Sequence, residues 1–194
     1  MTISRPVHKV DNKLQIVENL EKLLKSGEYS DFEFTVGQCR FPVHKAILHS
    51  QSVYFAAMFS GDYQEKTVGS VAIEDIDAAL FAELLLYIYT GQVPAMAEVD
   101  RAIEILIISD RYQLESLKAI VESELSEKML TTESMFTLLL AADTYNAPSL
   151  KEKAMEFIAG RASSKDILKG LFDNTLFGGQ KSKSLMKVIQ ELIK

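Results

Sequence analysis

Cys39 and His44, a thiol and an imidazole five positions apart, are the residues of this 194-residue chain that first invite a chemical reading. A thiolate beside an imidazolium is a nucleophile. Both residues, however, flank an aromatic-rich stretch with hairpin spacing, and a lone cysteine is more often a small buried hydrophobe than a nucleophile. Three histidines (His8, His44, His49) and one thiol make a poor set of metal ligands. No phosphate-cradling glycine loop, His-Glu-x-x-His or Gly-x-Ser-x-Gly sequence occurs. The residues therefore predict no enzyme, no cofactor and no metal.

What remains is binding chemistry. Asp31 and Lys45 are single charges beside strongly apolar runs, Phe32 and Phe34 for the first and Ala46-Ile47-Leu48 for the second. Charges so placed are usually paired, either as a structural ion pair or helix-terminus contact, or as a partly buried charge that specifies how two surfaces fit. Tyr63-Gln64-Glu65 sets an aromatic and a carboxylate two positions apart in a predicted loop. The ring either anchors a partner or folds back onto its own core.

The elements that must position these groups are legible in the spacing. Asp11 or Asn12 caps a predicted helix that Gly27 ends, with Ile16, Val17, Leu20, Leu23 and Leu24 on one face and Leu14 apart from it. That face packs on its own domain or supplies half of a dimer interface. Phe32, Phe34 and Val36 alternate with polar residues, Gly37-Gln38 turns the chain, and Cys39–Val43 returns as the second arm of a β-hairpin in which Pro42 needs a site without a ladder N–H. Short helices follow over 44–49 and 52–60, then a strand over 70–73 and a helix led in by Asp75-Ile76-Asp77 and closed by Gly91. From Val99 onward all is helical, with breaks near Gln113, 130–132, Ala147-Pro148, 161–164 and Gly178-Gly179. An internal echo links Asp110…Lys118 to Asp143…Lys151, sharing Asp, Tyr, Ser, Leu and Lys at an offset of about 33 positions. It predicts two stacked helix pairs.

Composition narrows the partners. With 21 Lys+Arg against 27 Asp+Glu, a net charge of −6 and a pI near 5.2, the molecule repels a phosphate backbone, so no nucleic acid is expected. No apolar run nears the ~18 residues of a membrane span, and Met1–Asp11 lacks the apolar core of a signal peptide. The lysines of Gln180–Lys194 read as a solvated helix face rather than a membrane-surface helix. The expectation is a soluble protein of the cytoplasm and/or nucleus.

Asp31-Phe-Glu-Phe, Phe41-Pro-Val-His44-Lys45-Ala46-Ile47-Leu48, Ser52-Val-Tyr-Phe55-Ala-Ala-Met58-Phe59 and Tyr87-Ile88-Tyr89-Thr90-Gly91 come in an order that resembles the BTB/POZ domain, and within it the speckle-type POZ protein group. The resemblance implies an α+β fold: a BTB/POZ domain over 11–127, a small β-sheet flanked by helices and including an N-terminal dimerisation helix, followed by an all-α helical-hairpin extension over 128–194 that looks like a BACK region. It further implies a homodimer with Ile16, Leu20, Leu23 and Ile47 at the interface and Asp31 and Lys45 as a charged groove pair. Members that recruit the cullin-3 N-terminal domain carry a hydrophobic-x-Glu motif where Tyr63 and Glu65 stand, with Phe59, Asp62 and Tyr112 as neighbours. The implied role is a non-catalytic adaptor linking a cullin-3 ubiquitin ligase to a target protein. The alternative is an oligomerisation module of the transcription-repressor type that binds a corepressor and not cullin. Relatives usually carry a MATH domain ahead of the BTB or kelch repeats after the BACK; about ten residues precede the first helix here, and the target is left unnamed.

Overall fold

A computed structural model of the protein describes residues 12–60, 69–161 and 190. Asp62, Tyr63 and Glu65 lie outside the described residues, as does the Gln180–Lys194 segment apart from Gln190. The chain forms two compact units, Met1–Pro94 and Ala95–Lys194.

The first unit begins with helix α1, Asn12–Ser26. Gly27 ends it at φ 66°, in the left-handed region, with its N–H donating to Leu23 O at 3.1 Å. A Cβ at Gly27 would stand 2.7 Å from Pro42 Cγ, so this close approach also requires glycine. Strands β1 (Phe32–Val36) and β2 (Cys39–Val43) form the expected antiparallel hairpin, Phe34 opposite Phe41 and Val36 opposite Cys39. Gly37, φ 59°, supplies the left-handed residue of its two-residue turn. Pro42 stands opposite Glu33. Lacking an N–H, it must occupy a non-hydrogen-bonded pair, so its backbone turns to the open edge of the sheet. Strand β3, Ser70–Ile73, pairs with the other side of β1 in parallel, giving the order β2-β1-β3.

Between β2 and β3 run α2 (Lys45–Gln51) and α3 (Val53–Ser60). After β3 comes α4, Ala78–Thr90, where Asp77 Oδ1 accepts from the N–H groups of Ala79 (2.8 Å) and Leu80 (3.2 Å) and Gly91 closes the far end at φ 72°. The alternating Phe32, Phe34 and Val36 point into the core, as their spacing predicts. Phe34 meets Phe55 and Phe81 at centroid distances of 5.6 and 5.4 Å, and Phe41 meets Phe81 at 5.3 Å. The two contacts of Phe81 are edge-to-face and that of Phe34 with Phe55 is tilted, geometries that add directional preference to the burial of large apolar side chains between the sheet, α3 and α4.

The second unit contains α5 (Val99–Arg111), α6 (Glu115–Lys128), α7 (Met135–Thr144) and α8 (Pro148–Arg161). The echo at 33 residues is a structural repeat. Gln113 and Asn146 adopt φ of 51° and 49° at the two helix corners. Leu114 N–H donates to Ser109 O and Ala147 N–H to Ala142 O, both at 2.9 Å. Lys118 Nζ reaches Asp110 Oδ1 at 2.6 Å, and Lys151 Nζ reaches Asp143 Oδ1 at 2.7 Å. The buried residues Ala102, Ile105, Leu106, Leu117, Val121 and Leu125 recur as Met135, Leu138, Leu139, Leu150, Ala154 and Ile158. A bond without a counterpart in the echo ties the pairs together: the buried Glu122 carboxylate of α6 accepts from Ser149 N–H (2.9 Å) and Leu150 N–H (3.1 Å) in the first turn of α8. Replacing Glu122 with Ala strands two donors in a largely buried setting. Urea unfolding of the whole chain should show a loss of about 1–3 kcal/mol, with Glu122→Gln losing less because its amide oxygen still accepts; equal stability of Glu122→Ala and the parent would show that the clasp contributes nothing.

Candidate interaction surface

Helix α1 is the one described helix of the first unit with no buried residue. A lone 15-residue helix is marginal in water, so packing must hold it, and its main contact within the unit is α4. That contact leaves Leu20, Leu23 and Leu24 half-buried and Ile16 58% exposed. Of the two readings of the apolar face, packing on its own domain accounts for part of it, and the remainder stays open. Ile47 in α2 is half-buried as well. On α3, Val53 (66%) and Tyr54 (40%) add exposed apolar surface beside the fully buried Phe55.

Asp31 and Lys45 are brought together in a helix-terminus contact. Asp31 Oδ1 accepts from the backbone N–H of Lys45, the first residue of α2, at 2.8 Å. The carboxylate thus caps a donor that the helix cannot satisfy internally, at the end where negative charge is favoured. The Lys45 ammonium meanwhile lies over the Phe32 ring at 5.1 Å and the Phe59 ring at 5.8 Å. Phe59 itself is half-buried, edge-to-face with Phe32 at 5.1 Å and stacked against Phe55 at 6.2 Å. Its ring is therefore part of the aromatic packing beneath the charged pair. Tyr112, in the second unit, is 2% exposed and donates its N–H to Ile108 O at 2.9 Å, holding its own helix corner.

His44 has a role that spacing did not reveal. Tyr89 Oη accepts from the His44 backbone N–H at 2.9 Å, so its own proton goes to His44 Nδ1 at 2.8 Å. Nε2 then carries the ring proton and donates it to Glu28 O at 2.8 Å. Both ring nitrogens are engaged in these bonds, and the Cys39 thiol is exposed. The relay joins α4, the start of α2 and the loop behind α1. No local signal could have announced it, since the partners lie 45 residues apart. No cluster of His, Cys, Asp or Glu among the described residues could hold a metal ion, and none of their helices is long and apolar enough to cross a membrane.

Burial raises the Tyr89 phenol to about 12 from its ordinary 10.0, with the nearby Asp31 charge adding to the rise and the His44 N–H bond opposing it. Because the folded-state value lies above the unfolded one, the neutral phenol's contribution is complete below pH 10 and is lost as pH climbs toward about 12. Replacing Tyr89 with Phe should cost about 1–3 kcal/mol at neutral pH by orphaning the His44 N–H. The stability gap between parent and Tyr89→Phe should then narrow from pH 10 to 12 in denaturant titrations; a gap that stays constant across this range would remove the assignment.

The model of the BTB/POZ domain family matches residues 20–129, which reach from the middle of α1 through α6. The chain is 32% identical over 153 residues to the mouse protein "TD and POZ domain-containing protein 2", covering 79% of this chain and 42% of that one. It is 33% identical over 159 residues to "TD and POZ domain-containing protein 4" of mouse, covering 82% and 42%. The chain thus spans less than half the length of these curated relatives. Among solved structures it is similar to the BTB domain of zebrafish PATZ1, with a TM-score of 0.52 and 21% identity over 64% of this chain and 100% of that one, a likeness of fold.

Proposed function

Since the chain belongs to the BTB/POZ family, whose domains are protein–protein interaction modules, we propose that it is a dimeric, non-catalytic adaptor that links a cullin-3 ubiquitin ligase to target proteins. The observation that carries self-association is the uncovered apolar face of α1: Ile16 is 58% exposed and no residue of the helix is buried. In this reading Ile16, Leu20 and Leu23 pack against their counterparts with Ile47 beside them, and the Asp31 cap with the Lys45 ammonium fixes the end of α2 that borders the contact. Pairing places two ligase arms on one assembly and raises effective concentration toward multivalent targets.

The cullin contact rests on the Tyr63-Gln64-Glu65 order, an aromatic to fill an apolar pocket and a carboxylate to accept hydrogen bonds. The reading adds Phe59, Asp62 and Tyr112 as neighbours of this motif, although Phe59 is part of the aromatic packing and Tyr112 is 2% exposed in its own unit. The expected membership of the speckle-type POZ group gives way to the relatives found, which are TD and POZ domain-containing proteins; we assign 128–194 to a BACK-like region and locate the protein in the cytoplasm and/or nucleus.

Two measurements test these parts separately. Titrating the cullin-3 N-terminal domain into the full chain should give binding that weakens about tenfold or more for Tyr63→Ala and for Glu65→Lys. Undiminished affinity in both variants, or no binding by the parent, would sink the ligase reading in favour of a repressor-type module. Sedimentation velocity of Leu20→Asp and Leu23→Asp should show monomer or insoluble protein, because a buried unpaired carboxylate at an interface is strongly destabilising. A well-folded dimer in both variants would exclude α1 as the contact.

A further inference from the structure

Tyr29 is 90% exposed, the largest fraction among the exposed large hydrophobic residues described, and its backbone is held at φ 60° in the left-handed region that non-glycine residues seldom adopt. The loop that carries it is rigid. Ser30 N–H donates to Gly27 O at 3.2 Å, Asp31 N–H to Val43 O at 3.1 Å, and Glu28 O is taken by the His44 imidazole at 2.8 Å. A ring fixed in water at a backbone cost is expected where the ring has something to contact.

The same unit holds a groove of about 380 Å³ whose apolar lining comes from Leu24 of α1, Phe41 and Pro42 of β2, and Ala82, Leu85 and Leu86 of α4. Lys25 and Arg40 border it, with side chains 70% and 76% exposed. In the single chain they pair with Glu21 and, at 3.7 Å, with Glu33; Glu83 adds a carboxylate to the lining. Such exposed pairs exchange partners at little cost.

We propose that the groove receives Tyr29 of a second copy of this chain. The charge that can match is at one rim: Glu28 precedes Tyr29, and Lys25 and Arg40 border the groove, in which Glu83 is the lone acidic lining residue among the described residues. Glu28 meets the Lys25/Arg40 rim, since the Asp31 carboxylate is already committed to Lys45. Ring and groove also belong to neighbouring parts of one surface, for Gly27, two residues before Tyr29, lies so near Pro42 of the groove wall that a Cβ on it would stand 2.7 Å from Pro42 Cγ. An anchor and its pocket on one patch suit a two-fold contact, in which each copy gives a ring and takes one. A tyrosine suits the role, because its large amphipathic surface is immobilised at low entropic cost.

The proposal adds a contact that shares Leu24 with the α1 face but does not depend on Ile16, Leu20 or Leu23. Its test is sedimentation velocity of the full chain over a concentration series. Tyr29→Asn removes the ring while keeping a residue that tolerates the left-handed backbone, and Ala82→Arg fills the groove from an exposed position. Each should raise the dissociation constant of self-association at least tenfold. Arg40→Glu should weaken association, and combining it with Glu28→Arg should restore part of the loss. In a Cys39→Ser background, Tyr29→Cys combined with Ala82→Cys should give a disulfide-linked dimer on mild oxidation. Unchanged association in both Tyr29→Asn and Ala82→Arg, or a parent that stays monomeric throughout, overturns the proposal. If Leu20→Asp alone abolishes association while Tyr29→Asn leaves it intact, the α1 reading stands and this one falls; the converse result supports the Tyr29 contact and removes the α1 one.

Discussion

Three segments distant in sequence meet at the phenol of Tyr89, and much of the first unit's geometry depends on that meeting. Its oxygen satisfies the His44 N–H at the junction of β2 and α2, and its proton orients the imidazole, whose far nitrogen holds Glu28 O behind α1. The His44 N–H and the Tyr89 hydroxyl would be costly if left unpaired, since Tyr89 is 3% exposed, while the bond to Glu28 O lies nearer solvent. The relay is a fully satisfied network, the condition under which buried polarity specifies one arrangement rather than weakening it. Its consequence is that the turn from Gly27 to Asp31 becomes a fixed platform, although its one bond to a strand is that of Asp31 N–H to Val43 O.

That platform decides how α1 is presented. Helix α1 packs on α4 without burying any residue, and its C-terminal end is further held by the close approach of Gly27 to Pro42 and by the bond of Glu28 O to His44. The apolar face is therefore offered in a defined orientation instead of being swallowed by its own core. The Asp31 and Lys45 pair works in the same region by dividing its labour: the carboxylate satisfies a backbone donor, and the ammonium lies over the Phe32 and Phe59 rings. Neither charge is spent on the other, so this is a seam between aromatic packing and surface rather than a buried ion pair, and it avoids the desolvation cost that a buried pair carries.

What was legible in the sequence was what neighbouring residues determine. The alternation of Phe32, Phe34 and Val36, the Gly37 turn, the Asp77 cap and the Gly91 stop each state a local requirement, and each is met in place. The parallel seat of β3 beside β1 was not legible, because strand order depends on a crossover through α2 and α3 that no single residue encodes. The His44 and Tyr89 bond was hidden for the same reason. Among the candidate site residues, Asp31 and Lys45 meet through a carboxylate and a backbone N–H, the helix-terminus alternative that their lone-charge context left open. Tyr29 escaped notice because a tyrosine in a loop carries no pattern; only its exposure and backbone angle single it out.

The second unit shows how a repeat visible as an echo acquires its chemistry. Two helix corners separated by 33 residues use the same left-handed residue, the same backbone closure and the same Asp–Lys bridge, so each hairpin can set its own angle from local information. Stacking one hairpin on the next needs a further term, and Glu122 supplies it by accepting the first N–H groups of α8. At the corresponding position 33 residues on stands Met155, half-buried beside the cluster of Met135, Phe136, Leu139, Ala154 and Ile158. A thioether cannot take the place of a carboxylate at a helix terminus, but it adapts its shape to apolar neighbours. Helix α6 therefore fixes the register of the next hairpin through a directional bond, whereas α8 offers contact without direction. The asymmetry makes the α6 to α8 clasp the point at which the two hairpins become one body.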